Sequence, residues 1–225
     1  SLIAKQPNDN GIAWTLANDG GFPVRALHPA ASSRFDIDTP ADLLIAQRCS
    51  KIGRHLRSYL DDLGWESPKL DGVVAEMRRE GGSLIVAGRV SPEAWTALQR
   101  EIRCWVRVFA EERGMRASGR QRRGEVQSLL ASYLDLVGFE AFFEALGRLA
   151  GGILLDNRVI LASRRLWPSA LDRFNSDLYR WDEIKAPFLR ALTRAAAEAD
   201  VPVVMGGHTV VAGGLMALAE TIHSD

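Results

Sequence analysis

The sequence predicts an α/β fold: a small parallel sheet of about four strands with helices on both faces. Three observations support this prediction. From about residue 70 onward, short apolar runs alternate with longer amphipathic segments, a pattern typical of βαβ units. Two of the predicted helices begin with Thr39-Pro40 or Ser91-Pro92, pairs that favour helix starts. An irregular strand–helix segment precedes this alternation.

Residues 1–66 form the first predicted unit. Residues 1–31 are rich in turn chemistry, with short apolar pieces such as "IAWTLA" that we interpret as short strands or irregular chain. "RFDID" is predicted as a short strand. The helix that follows has Thr39 as its N-cap, Pro40 in its first turn and Asp42 at its third position. This helix is predicted to be broken or bent near Gly53 and to end at Gly64, and "WESPKLDG" is predicted to be a linker.

Residues 67–225 form the second predicted unit, a three-layer α/β domain. "SLIVAGR" is a continuous apolar run, typical of a strand buried on both faces. "CWVRVFAE", "RVILAS" and "VPVVMG" are the other predicted strands. The predicted helices are "LDGVVAEMRRE", "SPEAWTALQREI", "EVQSLLASYLDLV", "EAFFEALGRLA", "WPSALDRFNSDL", "EIKAPFLRALTRAAAEA" and "TVVAGGLMALAETI".

The composition limits the classes of partner. The formal net charge of the 225 residues is zero, so there is no general attraction to nucleic acid or to a membrane surface. No apolar run approaches the ~20 residues that cross a bilayer. Cys49 and Cys104 have no metal-site spacing and fit a reducing, cytoplasmic compartment. Recognition is therefore expected to depend on local charge clusters.

Asp36 and Asp38 are predicted to form half of a metal site. On a strand, side chains two positions apart point to the same face, so both carboxylates would reach one spot. The helix start at Pro40 attracts anions. Mg²⁺ needs only one or two carboxylates when it also binds a phosphate. The alternative is that both aspartates only cap a turn and a helix.

"FDIDTPADL" resembles the closing signature of the molybdenum-cofactor-type and 2-phospho-lactate guanylyltransferase-like nucleotidyltransferases. The resemblance covers about residues 1–50 and implies Mg²⁺-dependent transfer of a nucleotidyl group from a nucleoside triphosphate to a phosphorylated acceptor. It makes Asp36 the metal ligand and Asp38 an alternate ligand. The family's glycine-rich loop and mid-chain aspartate are absent from the sequence. We therefore expect the C-terminal part of a longer protein, inactive by itself.

A second candidate site lies where three predicted strands end. The carboxyl ends of parallel strands meet at one edge of the sheet, where ligands bind. Arginines at this edge match phosphate or carboxylate in bidentate fashion, and small residues let a ligand approach the backbone. The residues predicted to bind a nucleotide or phosphorylated metabolite are Arg89, Ser91, Arg113, Arg116, Ser118, Arg120, Gly206, Gly207, His208 and Thr209.

Two other interpretations stay open. In one, the chain is a non-enzymatic binding or regulatory domain for a phosphorylated or acidic metabolite. In the other, it is a complete enzyme in which His208 acts as a general base near neutral pH. Exposed apolar surface on residues 1–50 would favour a homo-oligomer.

Overall fold

A four-stranded, all-parallel sheet lies at the centre of the computed structural model, which describes residues 2–5, 12–25, 27–28 and 30–222. The strands are β1 (Ser83–Gly88), β2 (Trp105–Ala110), β3 (Gly152–Asp156) and β4 (Val203–Gly206), and their order across the sheet is β2-β1-β3-β4. In the register, Val86 lies opposite Val108 on one side and Leu154 on the other. This architecture confirms the predicted fold class.

Helices cover both faces of the sheet. Within the described residues none is long and apolar enough to cross a membrane. Short 3-10 turns lie at Ile3–Lys5, Ala31–Ser33, Trp181–Glu183 and His208–Val211. The helices are α1 (Ile12–Asn18), α2 (Pro40–Arg48), α3 (Arg54–Leu63), α4 (Pro68–Arg78), α5 (Pro92–Glu101), α6 (Arg120–Arg123), α7 (Leu129–Val137), α8 (Phe139–Gly147), α9 (Arg158–Ser163), α10 (Ala170–Asp177), α11 (Pro187–Glu198) and α12 (Gly213–Thr221).

The alternation of side chains along β1 divides the core into two clusters. Leu84 and Val86 pack with residues of α2, α4, α5 and α12 on one face. Ile85 and Ala87 pack with residues of α7, α8, α9 and α11 on the other. Successive side chains of a strand point to opposite faces, so a strand covered on both sides is apolar throughout. Helix α2 shares the first cluster with the sheet, and the division at residues 66 and 67 stays a prediction.

The predicted strand "RFDID" is wrong, because residues 35–38 have no strand pairing. Ile37 is 43% exposed, so the alternating pattern has no buried face here. The segment is held by α12 instead. A Cβ on Gly213 would lie 1.9 Å from the carbonyl oxygen of Arg34, so only glycine allows the chain to pass so close.

The predicted third strand "RVILAS" is also wrong, since it forms helix α9, and the third strand is the preceding run "GILLD". Two adjacent apolar runs are separated by Asp156 and Asn157, and periodicity does not distinguish a short buried strand from a short buried helix. "IAWTLA" lies within α1 rather than a strand. The predicted linker contains the start of α4, where the Ser67 hydroxyl accepts a hydrogen bond from the Leu70 N–H.

Candidate functional site

A cavity of about 490 Å³ opens where the strands of the sheet end. Its volume lies within the range of about 300–1,000 Å³ that is usual for small-molecule sites. Arg89 directly follows β1, Gly207 directly follows β4, and Arg158 begins the helix after β3. The cavity therefore occupies the edge at which ligands bind in open α/β sheets. Seven of the site residues that were predicted from the sequence line this cavity: Asp36, Asp38, Arg89, Arg116, Gly207, His208 and Thr209.

Arg89 is held by the fully buried carboxylate of Asp156. The guanidinium donates from Nε to Oδ2 at 2.5 Å and from Nη2 to Oδ1 at 3.0 Å. Asp156 also accepts hydrogen bonds from the backbone N–H groups of Arg89 and Arg158. Gly88 has a φ of +120°, and a Cβ there would lie 2.5 Å from the Cβ of Asp156. The ends of β1 and β3 thus fix the position of Arg89.

Arg158 is held by a second buried carboxylate, that of Asp177 at the end of α10. The Nη2 atom of Arg158 lies 2.9 Å from Oδ1 of Asp177. Burial raises the pKa of Asp177 to about 6, although the charge and hydrogen bonds of Arg158 oppose this rise. Burying a carboxylate is unfavourable unless a cation and hydrogen bonds compensate. This pair places a guanidinium on the cavity wall with little freedom to move.

Two further arginines, Arg116 and Arg173, line the cavity without an ion-pair contact to a carboxylate in the described part of the chain, although the charge of Asp177 acts on Arg173. Arg173 donates from Nη1 to the carbonyl oxygen of Pro168 at 2.7 Å. Burial lowers the pKa of Arg173, and the charges of Arg158 and Arg116 lower it further. Arg173 is therefore close enough to Arg158 and to Arg116 to be repelled by both. An anion between them would relieve that repulsion.

Aspartates and a threonine line another part of the cavity. Asp36 and Asp38 are exposed, and the Thr209 hydroxyl donates to the carbonyl oxygen of Asp36 at 3.4 Å. Oδ2 of Asp42 accepts hydrogen bonds from the N–H groups of Asp38 and Thr39, and from the Thr39 hydroxyl. The predicted third helical position of Asp42 is thereby confirmed. Its Oδ1 is buried and has no hydrogen-bond partner among the residues that the structure describes, and burial raises the pKa of Asp42.

His208 lines the cavity beside Arg89. Burial lowers the pKa of His208, and the neighbouring charge of Arg89 lowers it further. Its Nε2 is buried and has no hydrogen-bond partner among the described residues. The imidazole is therefore neutral at pH 7, as a general base must be. Of the described residues that line the cavity, none is a serine or a cysteine that His208 could activate as a nucleophile.

The remaining predicted residues lie beside the cavity rather than in its wall. Ser91 is buried and caps α5 by accepting a hydrogen bond from the Ala94 N–H. Arg120 pairs with Glu112 and Glu125. Ser118 donates to the carbonyl oxygen of Gly114. Gly206 is the buried last residue of β4, and Arg113 is exposed but close enough to affect the pKa of His208.

The sequence prediction missed Arg158 and Arg173, together with their aspartate neighbours. Arg158 was placed inside a predicted strand, and Arg173 inside a helix whose orientation the sequence does not define. The "LLDNR" segment indicates where the strand ends, because the polar residues Asp156, Asn157 and Arg158 follow an apolar run there. A strand at the apolar run "GILL" places Asp156 and Arg158 at its carboxyl end, and so at the edge of the sheet where ligands bind.

Asp36 and Asp38 supply the hard oxygen ligands that Mg²⁺ prefers. Among the residues that the structure describes, no group of three or more His, Cys, Asp or Glu side chains is arranged to hold a metal ion. A pair of carboxylates is nevertheless enough for Mg²⁺ that is also bound to a phosphate and water. The residues present therefore fit a metal delivered together with an anionic ligand.

The chain was compared with protein-family models, with curated proteins and with solved structures. None of them matches it. The resemblance of "FDIDTPADL" to the nucleotidyltransferase signature therefore stays a prediction, and the function has to be argued from the cavity itself.

Proposed function

We propose that the cavity binds a small molecule that carries a phosphate or a comparable acidic group. The observation that carries this proposal is that Arg116, Arg158 and Arg173 line one cavity, and that Arg116 and Arg173 make no ion-pair contact with a carboxylate among the described residues. Arginine binds phosphate and carboxylate through a planar pair of N–H donors. Unpaired guanidinium groups brought together at the ligand edge of a parallel sheet are best explained by an anion.

Preorganisation supports the same proposal. Asp156 and Asp177 fix Arg89 and Arg158 before any ligand arrives, so binding need not order those side chains. Fixing a side chain in advance lowers the entropic cost of binding. The apolar residues Met115, Leu161 and Leu166 line another part of the wall. This mixture of apolar surface and a few fixed polar groups is typical of small-molecule sites.

Calorimetric titration of the chain with pyrophosphate tests this proposal. We expect binding that the Arg116→Met variant weakens about tenfold or more, because a hydrogen bond to a charged group contributes about 1.5–3 kcal/mol. Arg103→Met is the matched control, since Arg103 is exposed and lies outside the cavity. Absence of binding, or equal weakening by both substitutions, would contradict the proposal.

A second candidate function is a contribution to nucleotidyl transfer in a longer protein. It is favoured by the position of Asp36 and Asp38, which line the same cavity as the arginines. These carboxylates would hold Mg²⁺, which shields the charge of a triphosphate, while the arginines bind the phosphate oxygens of a nucleotide or of the phosphorylated acceptor. Simple binding without turnover is the expectation for this chain alone.

The Mg²⁺ dependence of nucleotide binding separates the two candidates. If the carboxylates serve a metal, GTP or ATP should bind more tightly with Mg²⁺ than with EDTA. The Asp36→Asn/Asp38→Asn double variant should then lose that difference. Equal affinity for both nucleotides with and without Mg²⁺ would refute the nucleotidyltransferase candidate and leave the anion-binding proposal intact.

A further inference from the structure

The cavity wall carries both positively and negatively charged side chains. Asp156 neutralises Arg89 and Asp177 neutralises Arg158, so the remaining cations of the wall are Arg116 and Arg173. The acidic side chains Asp36, Asp38 and Asp42 belong to the same wall. A ligand that consisted only of an anion would satisfy the arginines and be repelled by the carboxylates. A ligand that binds without a metal ion therefore needs a second part that carries hydrogen-bond donors.

Asp42 provides an independent indication of that second part. The residue is only 1% exposed and lines the cavity at the start of α2, a helix of nine residues. Its Oδ2 accepts three hydrogen bonds, whereas its Oδ1 accepts none within the described structure. Buried acceptors are nearly always paired in native proteins. An O–H or N–H group of a ligand at the start of α2 would supply the missing donor.

The neighbouring groups favour hydroxyls over an ammonium group. Beside the carboxylates, the wall presents the amide of Gln121, which both donates and accepts. It also presents the hydroxyls of Thr39 and Thr209, which already donate to Asp42 and to the Asp36 carbonyl oxygen and therefore offer a ligand only acceptor positions. A ligand hydroxyl can donate to a carboxylate and accept from the Gln121 amide at the same time. An ammonium group has donors only and would leave the amide N–H donors of Gln121 unused.

We propose that the ligand is a phosphorylated polyol, such as a sugar phosphate, whose hydroxyl groups bind to Asp36, Asp38 and Asp42 while its phosphate binds to Arg116 and Arg173. This inference rests on the proposed anion-binding function. It adds that the carboxylates recognise the organic part of the ligand directly. A carboxylate binds the ribose 2′-hydroxyl of NAD in a similar way in dinucleotide-binding folds.

Calorimetry with ribose 5-phosphate and methyl phosphate, both in EDTA, tests the inference. Methyl phosphate has the same phosphate monoester but no hydroxyl groups. We expect ribose 5-phosphate to bind about tenfold more tightly than methyl phosphate, as one or two charge-assisted hydrogen bonds would give. The Asp36→Ala/Asp38→Ala variant should reduce this preference to less than threefold without weakening methyl phosphate. These exposed positions avoid the risk of unfolding that substitution of buried Asp42 carries.

Asp61→Ala is the matched control, because Asp61 is an exposed aspartate of α3 outside the cavity. Equal binding of the two esters by the unchanged chain would overturn the inference and leave the anion-binding function standing. A preference that survives in the double alanine variant, or that exists only with Mg²⁺ instead of EDTA, would also overturn it. Failure of both esters to bind, although pyrophosphate binds, would overturn the inference alone; failure of all three would refute the proposed function as well.

Discussion

Replacing Asp156 by alanine should destabilise the fold more than replacing any exposed aspartate. The carboxylate is fully buried and accepts hydrogen bonds from the Arg89 guanidinium and from the backbone N–H groups of Arg89 and Arg158. The substitution leaves these donors without an acceptor at the junction of β1, β3 and α9. Removing one partner of a buried ion pair leaves an uncompensated charge.

The magnitude follows from the burial of the pair. Loss of one partner of a buried ion pair costs about 3–5 kcal/mol. The Arg89 side chain is 21% exposed toward the cavity, so water can partly solvate it and the lower end of that range applies. We therefore expect a loss of about 3 kcal/mol in the free energy of unfolding. With a urea m-value of about 2–3 kcal/mol per M, the midpoint should fall by about 1 M or more.

Urea unfolding followed by far-UV circular dichroism measures this loss. A double-mutant cycle with Arg89→Met shows whether it arises from the pair. The double variant removes both charges, so its destabilisation should be smaller than the sum of the two single losses by at least about 1.5 kcal/mol. A loss below about 1 kcal/mol for Asp156→Ala, or additive losses in the cycle, would refute the reasoning.

Two further predictions concern the other buried carboxylate and the packing of the acidic segment. Asp177 has a pKa of about 6 in the fold against an ordinary value of 3.8, so the folded state binds more protons between these values and stability falls as the pH rises from about 4 to 6. The Asp177→Asn variant should lose up to about 3 kcal/mol less of its free energy of unfolding than the unchanged chain over this pH range. Urea titrations at several pH values measure this, and parallel curves of stability against pH for the two proteins would contradict the prediction. Gly213→Ala should cost about 3 kcal/mol, because the new Cβ would overlap the Arg34 carbonyl. Thermal melts should show no comparable loss of stability for Gly207→Ala, because no atom lies within 4 Å of a Cβ added at Gly207.

The sheet was largely predictable because its signals are local. "LIVAG" within β1 is apolar and buried at every position, and the strand lies in the middle of the sheet, where helices cover both faces. Pro40, Pro92 and Pro187 each begin a helix, as the fixed φ of proline favours. There is also a physical reason why "GILLD" forms the third strand although "RVILAS" was the predicted one. Both runs are buried, and only pairing with β1 and β4 decides which one becomes a strand.

The cavity was predictable only where it depends on strand ends. Arg89, Gly207, His208 and Thr209 follow β1 and β4 directly, so topology alone brings them to one edge. Arg173 and Asp177 reach the same place through the packing of α10 against β4 and α11, which sequence periodicity does not specify. Asp36 and Asp38 line the cavity although their predicted strand is wrong. Their position depends on the close contact between the chain at Arg34 and Gly213.

A crystal structure of the chain soaked with tungstate tests the central claim most directly, because tungstate resembles phosphate in shape and charge and is located by its anomalous scattering. The account predicts an anomalous peak within hydrogen-bond distance of Arg116 and Arg173, in the cavity at the carboxyl ends of the strands. That peak should be absent from crystals of the Arg116→Met/Arg173→Met variant. A peak confined to other exposed arginines, or a cavity without tungstate in the unchanged chain, would contradict the assignment of this cavity as an anion site.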